Sequence, residues 1–168
     1  TFERALEELK KQISDEYSRH KFILEDKRLE DKRQRYLKIL NVDGTISDYS
    51  DSIKFLSQCL EIYYKKKVII LIDEYDVPLE NAFFEGFYNE MISFLRSIFE
   101  SALKTNASLE FAVITGCLRI SKESIFTGLN NLNIISILND RYAEYFGFSN
   151  EDVMEICRYY KMPEKYGV

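Results

Sequence analysis

Phe2, Leu6, Leu9, Ile13, Tyr17 and Leu24 recur at three- and four-residue steps, with two steps between Tyr17 and Leu24. That is the period of an amphipathic helix with one buried face, so the chain is predicted to open on a helix. From Glu25 to Arg35 the run EDKRLEDKRQR interleaves both charge signs around Leu29, which fits a solvated helix face better than a binding arm. Tyr36, Leu37, Ile39 and Leu40 close this stretch. In the following NVDGT, Asn41 to Thr45, the Asp-Gly pair predicts a turn. A second helix is predicted from Ser50 or Asp51, with Ile53, Leu56, Leu60 and Tyr63 on one stripe. Lys65 to Lys67 at its end complement the helix dipole and need no nucleic acid to explain them.

The pattern then changes period. Val68 to Ile72, VIILI, is a continuous apolar run too short for a helix, which predicts a central parallel strand buried on both faces. Pro78 closes the next loop. Asn81 to Lys104 carries Phe84, Phe87, Tyr88, Met91, Leu95, Ile98 and Leu103 at helical steps, enough for the crossover between two parallel strands. Glu110 to Thr115 is the second predicted strand. Beyond Gly116 the pattern gives a short helical piece around Ser121 to Ile125, a turn region at Gly128 and Asn130, and a candidate third strand at Ile134 to Leu138. Ser149 is predicted to cap a helix running to about Tyr160, with Glu151 and Asp152 in its first turn and Val153, Ile156 and Cys157 facing inward. Helices alternating with strands predict an α/β layered fold.

Composition narrows the class of function. With 168 residues, 46% hydrophobic and 30% charged, the chain can build a real core and is not expected to be disordered. A net charge of −5 argues against broad phosphate-backbone binding, which needs a concentrated basic surface. Cys59, Cys117 and Cys157 are odd in number and share no Cys-x-x-Cys spacing, so they read as reduced thiols rather than a disulfide framework or a zinc site. No apolar run approaches the length of a membrane span and the N-terminus is a charged helix, so a cytoplasmic setting without membrane attachment is expected. The first residue is Thr1 rather than Met, as expected of an excised or processed piece of a longer chain.

The candidate chemistry lies where the first strand ends. Asp73, Glu74 and Asp76 follow the apolar run, at the carboxyl edge where open α/β sheets place their ligands. Four apolar residues followed by Asp-Glu is the Walker B arrangement: the first carboxylate holds Mg²⁺ and the second polarises the attacking water. Solvated acidic residues also commonly end strands, so the motif is weak alone. It gains from the second strand, which ends in Thr115 followed by Gly116. A polar residue on a strand beside the catalytic glutamate can monitor the γ-phosphate and the water, whereas the plain alternative is a Thr before a glycine turn. Arg119 and Lys122 lie just beyond. Arg119 is the better candidate for anionic oxygens because its guanidinium is a rigid fork, although an ion pair with Glu123 or Asp76 accounts for it equally well. His20 has no partner for a metal site or a triad. In SKES, Ser121 to Ser124, the lysine is at the wrong offset for a nucleophilic Ser-x-x-Lys, and helix capping by Ser121 is the plainer account.

A P-loop, Gly-x-x-x-x-Gly-Lys-Ser/Thr, is missing. Gly44, Gly86, Gly116, Gly128, Gly147 and Gly167 are followed by Thr, Phe, Cys, Leu, Phe and Val, so no glycine stands before a lysine. Three blocks, LIDEYDVPL from Leu71, TGCLRISKESIFTGLNNL from Thr115 and YAEYFGFSNEDV from Tyr142, nonetheless make the chain resemble the AAA-ATPase-like proteins of bacteria and archaea. These belong to the P-loop NTPase superfamily and often carry a C-terminal restriction-nuclease-like domain. The resemblance covers nearly the whole chain and places it after the family's P-loop. It implies a three-layer P-loop-NTPase-like fold with a mostly parallel sheet, truncated so that the P-loop strand is absent. Residues 1–168 would form one partial domain, with a helical part over 1–64 and an α/β core over 65–168. The family's Walker B carboxylates fall on Asp73, the metal ligand, and Glu74, and its polar strand end falls on Thr115. Arg119 lies within the matching second block.

Three functional expectations follow. In the first, the chain is the core of an ATP-hydrolysing domain, using ATP and Mg²⁺ in the full-length parent and inactive alone. In the second, it is a non-catalytic interaction module that keeps the fold, its exposed apolar surface supporting self-association or a protein partner. Nucleic acid enters only if a nuclease-like domain follows in the parent. The third, a phosphoesterase using Asp73, Glu74 and Asp76 directly on metal, lacks a supporting His or further Asp cluster.

Overall fold

A computed structural model describes residues 1–117 and 147–162, together with residues 125, 126, 129, 132–136, 139, 141, 142 and 145. The chain divides into two compact units, Thr1–Asn130 and Asn131–Val168.

The first unit opens on α1 (Phe2–Arg19), whose Leu6 and Tyr17 are buried. The charged run after it does not continue as a helix. Two 3-10 turns, Lys21–Glu25 and Lys27–Lys32, carry Ile23, Leu24 and Leu29 inward. The break has a local cause: Asp26 is extended and its carboxylate accepts the Arg28 N–H at 2.9 Å, starting a new turn. The same carboxylate pairs with the Arg28 guanidinium, which holds it at about 2, below the usual carboxylate range. Leu29, 1% exposed, makes the polar run an inward-anchored corner.

Helix α2 (Arg33–Leu40) buries Tyr36 and Ile39. Short α3 (Ile46–Ser50) starts from a Thr45–Asp48 capping box. Helix α4 (Ser52–Tyr64) buries Phe55, Leu56 and Cys59, with Ile53, Leu60 and Tyr63 half-buried beside them. It ends where Lys65 turns left-handed, at φ 58°, and its N–H reaches Glu61 O at 2.8 Å. Two phenols tie these helices together. Tyr36 donates to Tyr17 O at 2.7 Å, and Tyr17 donates to Ser52 O at 2.7 Å. Burial pushes both hydroxyls well above the usual phenol range. It also pushes the Cys59 thiol, 0% exposed, up to about 11.

Strand β1 (Val68–Ile72) follows. Helix α5 (Val77–Glu85) carries Pro78 in its first turn, where no N–H is needed. The predicted long crossover helix is two helices. Gly86 takes φ 83° and ends α5, and α6 (Tyr88–Phe99) begins afresh and runs into a π turn at Glu100–Lys104. Met91, Ile92, Phe94, Leu95, Ile98 and Phe99 form its buried face. Strand β2 (Leu109–Ile114) pairs parallel with β1, with Ile69 opposite Phe111, Leu71 opposite Val113 and Ile72 opposite Ile114. A register irregularity between Val68 and Ile69 marks the start of the ladder.

Strand β1 is buried on one face only, contrary to its expected place in the middle of a sheet. Ile70 is buried, while Ile69 and Leu71 are 55% and 74% exposed. Their partners Phe111 and Val113 on β2 are exposed beside them. Among the described residues the sheet has two strands, with nothing laid over this outer face, so apolar sequence on both sides translates into burial on one.

In the second unit, α7 (Asn150–Tyr159) starts at a Ser149–Asp152 capping box, as its first turn predicts. It buries no residue: Ile156 is exposed and Val153 and Cys157 are half-exposed, contrary to the expected inward face. Ile134, Ile135 and Ser136 are not in a strand, and Ile137 and Leu138 lie outside the described residues. The Ser136 N–H donates instead to the Asn139 side chain at 2.8 Å. No described helix is long and apolar enough to cross a membrane.

Candidate functional site at the ends of the parallel strands

The ladder does not stop at the last strand residues. Thr115 N–H donates to Ile72 O at 2.9 Å and Tyr75 N–H donates to Thr115 O at 3.1 Å. These two bonds set Asp73 directly beside Thr115, although the residues are 42 positions apart in sequence. The Thr115 hydroxyl donates to Asp73 Oδ1, and the same oxygen accepts the Glu74 N–H at 3.0 Å. Two donors thus converge on one carboxylate oxygen. Asp73, Glu74 and Thr115 are all exposed to solvent.

Glu74 sits at φ 53°, in the left-handed region that non-glycine residues enter at a cost. Its carbonyl accepts the Val77 N–H at 3.1 Å, so the turn swings the chain straight from β1 into α5. Asp76 opens that helix. Its carbonyl accepts from Leu79 N at 3.0 Å and Glu80 N at 2.9 Å, and its side chain is 3% exposed. The three acidic residues therefore divide: Asp73 and Glu74 lie open at the strand end, and Asp76 is buried beneath them.

Gly116 explains part of that burial. A Cβ there would sit 2.5 Å from Tyr75 Cε1 and 2.7 Å from Asp76 Oδ1, well inside ordinary van der Waals contact. On its other side the Tyr75 ring meets Phe126 at 5.2 Å between centroids, and Phe126 stacks on Phe99 at 5.9 Å. Ile125, beside Phe126, is fully buried. The chain leaving β2 is thus fixed at Gly116 and again at Ile125 and Phe126. Cys117 is exposed. Sequence reasoning singled out Asp73, Glu74 and Thr115, and the structure brings them together. It passed over Tyr75 and the tightness around Gly116, whose signal was an aromatic residue set between acids and a glycine directly after a strand. Arg119, Ser121, Lys122 and Glu123 lie outside the described residues, as do the predicted helical piece apart from Ile125 and the turn residues Gly128 and Asn130.

Magnesium binds through one or two carboxylates, with waters and substrate phosphates completing its shell. With both donors on Oδ1, Asp73 keeps Oδ2 for such a cation. Among the described residues no three His, Cys, Asp or Glu side chains converge as a self-sufficient metal site.

Residues 1–126 match the family model AAA-ATPase_like, described as Predicted AAA-ATPase. The chain is also similar to an "Uncharacterized protein in vnfD 5'region" of Azotobacter chroococcum mcd 1, at 36% identity over 89 residues. That alignment covers 52% of this chain and 17% of the relative, so the match spans about a sixth of that protein. No solved structure matches. A family match across residues 1–126 of 168, including both strands and the acidic turn between β1 and α5, places the chain in the AAA-ATPase-like family.

Proposed function

We propose that this chain carries the carboxylate half of an ATP-hydrolysing site in a P-loop-type fold. The observation that carries the reading is the hydrogen bond from Thr115 to Asp73 across the ends of two adjacent parallel strands. In this reading Asp73 and Glu74 form a Walker B pair. Asp73 would hold Mg²⁺, and the Thr115 hydroxyl and the Glu74 N–H on Oδ1 fix the rotation of its carboxylate. Magnesium, when bound with ATP, supplies neutralisation of the phosphate charge. Glu74, lifted into the open by its left-handed backbone, orients the attacking water. Thr115 is assigned the monitoring of the γ-phosphate, and Arg119, three residues after Gly116, a guanidinium for the phosphate oxygens. The phosphate grip itself has to come from outside these 168 residues, since no glycine here precedes a lysine. The chain alone is expected to hydrolyse little or no ATP.

The test compares binding of a fluorescent ATP analogue to this chain and to a version extended upstream through a P-loop. Tight, Mg²⁺-dependent binding only by the extended protein is expected, with Glu74→Gln retaining binding and losing hydrolysis by a factor on the order of 10² or more. Absence of ATP binding by the extended protein, or undiminished hydrolysis by Glu74→Gln, would falsify the reading.

A second reading, a non-catalytic interaction module retaining the fold, is favoured by the outer sheet face, where Ile69, Leu71, Phe111 and Val113 are all exposed. Contiguous apolar surface of this kind marks interaction sites, and a two-stranded sheet has open edges that pair readily. It predicts light scattering that rises with protein concentration, and a strictly monomeric chain at high concentration would count against it.

A further inference from the structure

Two basic segments far apart in sequence meet at the end of α4. The dipole of that helix accounts for a cation after Tyr64, but not for what the two 3-10 turns fold beside it. Phe22, in the first turn, lies 5.6 Å from Tyr63 between ring centroids, and Tyr63 lies 4.9 Å from Tyr64, with interplanar angles of 78° and 80°. Arg28, in the second turn, donates to Tyr63 O at 3.3 Å. Arg28 first, and the charge of Lys65 in smaller part, hold the Asp26 carboxyl low, so Lys65 stands near the turns as well. Residues 21–28 and 63–67 thus share one surface.

That surface combines flat rings with unpaired cations. Tyr63 is half-buried, while Phe22 and Tyr64 on either side of it are 45% and 52% exposed. Lys21, Lys27, Lys65, Lys66 and Lys67 are exposed, and none of them is in an ion pair among the described residues. Asp26 is already paired with Arg28, which leaves Glu25 as the other carboxylate of the two segments. The net charge of −5 argues against a broad basic face, whereas this one is local. It lies at the amino end of β1, away from the carboxylates that follow Ile72. Rings interleaved with lysines suit a flexible polyphosphate chain with exposed bases, because the bases stack on the rings while the lysines take the phosphates. A duplex keeps its base faces stacked on one another, and a bilayer is met by aliphatic side chains as well as by cations.

We propose that Phe22 and Tyr64, with Lys21, Lys27, Lys66 and Lys67 around them, form a binding site for single-stranded nucleic acid. Fluorescence anisotropy of a labelled oligothymidylate of about ten nucleotides, titrated with the intact chain, reads it directly. Binding is expected at low salt, and holding three phosphates would weaken it about 20-fold between 50 and 200 mM NaCl. Tyr64→Ala and Tyr64→Leu are each expected to weaken it by roughly tenfold, and Tyr64→Phe to leave it unchanged, since a flat ring is what stacks. Lys66→Glu is expected to weaken binding and to flatten its salt dependence. Lys11→Glu, the same charge change at an exposed residue of α1, is expected to do neither.

Any of four results would overturn the assignment: no binding at low salt, undiminished binding by Tyr64→Leu, equal losses in Lys11→Glu and Lys66→Glu, or equally tight binding of the matching duplex or of heparin. Displacement of the oligonucleotide by phosphatidylserine vesicles that Tyr64→Ala binds as well as the parent chain would overturn it too, in favour of a membrane-facing patch. None of these measurements involves ATP, so loss of the hydrolytic reading would leave the nucleic-acid site standing.

Discussion

Tyr36→Phe deletes one hydroxyl from the centre of the helical layer, and its cost can be worked from the contacts. Tyr36 is 0% exposed, its ring lies 4.6 Å from that of Tyr17, and its hydroxyl donates to Tyr17 O at 2.7 Å. Phenylalanine keeps the ring pair and loses only the bond. A carbonyl left buried without a partner would cost up to about 3 kcal/mol. Tyr17 O, however, also accepts the His20 N–H at 3.2 Å, so it is not orphaned. The expected loss is therefore the net worth of one hydrogen bond, about 1 kcal/mol, or roughly 2–4 °C in Tm for a chain of this size. Tyr36→Ala removes the ring as well and should cost roughly 3–5 kcal/mol, as large-to-small aromatic changes do in cores. Tyr17→Phe breaks a different bond, to Ser52 O, but the two side chains are in contact and in one hydrogen-bond chain, so the double Phe variant should depart from the sum by about 0.5 kcal/mol or more. Urea denaturation followed by far-UV circular dichroism, with an unchanged slope, provides the comparison. If Tyr36→Phe costs as much as Tyr36→Ala, the partner supplied by His20 is not compensating. If it costs nothing, the buried hydroxyl bond is absent.

Gly86→Ala should destabilise by about 1–2 kcal/mol through backbone strain alone, because Gly86 has φ 83° and a Cβ there meets nothing within 4 Å; a neutral result in thermal melting would mean the α5–α6 junction is not left-handed. Asp26 has its carboxyl held at about 2 against an ordinary 3.8 by Arg28. A depressed folded-state value contributes stability that is present above pH ~4 and is lost as pH falls toward 2, so urea midpoints should decline over that window, and less so in Asp26→Asn. Leu71→Lys, at a side chain 74% exposed, should leave the denaturation midpoint within about 0.5 kcal/mol of the parent while suppressing any concentration-dependent scattering; scattering that persists would move the contact off the outer sheet face.

Both strands were legible because VIILI and FAVI are apolar runs with no helical period, and the α7 start was legible because Ser149 and Asp152 are spaced as a capping box. The pairing of Asp73 with Thr115 was legible only as two strand ends. Their adjacency depends on a parallel register set by Ile72 and Ile114 across 42 residues, which no local pattern encodes. The break at Gly86 was visible as a glycine within a helical run, yet the apolar steps on either side of it stay in phase and conceal the turn. The charged run at Glu25–Arg35 misled for the opposite reason. Asp26 capping its own next turn is a local bond that competes with the helix, while the charges around it match a helix surface. The outer face of β1 was misjudged because apolar sequence reports what a strand can bury, and burial also requires something to lie against it.

The three thiols give the molecule internal timekeepers. With Cys157 replaced by serine, two sites remain with opposite access: Cys117 exposed just past Gly116, and Cys59 fully buried with its ionisation pushed up to about 11. Alkylation requires the thiolate and a path to it. An alkylating reagent at neutral pH would therefore mark Cys117 at once and reach Cys59 only during openings of the helical layer. The lag between the two labels would record how often that layer opens while the folded chain persists.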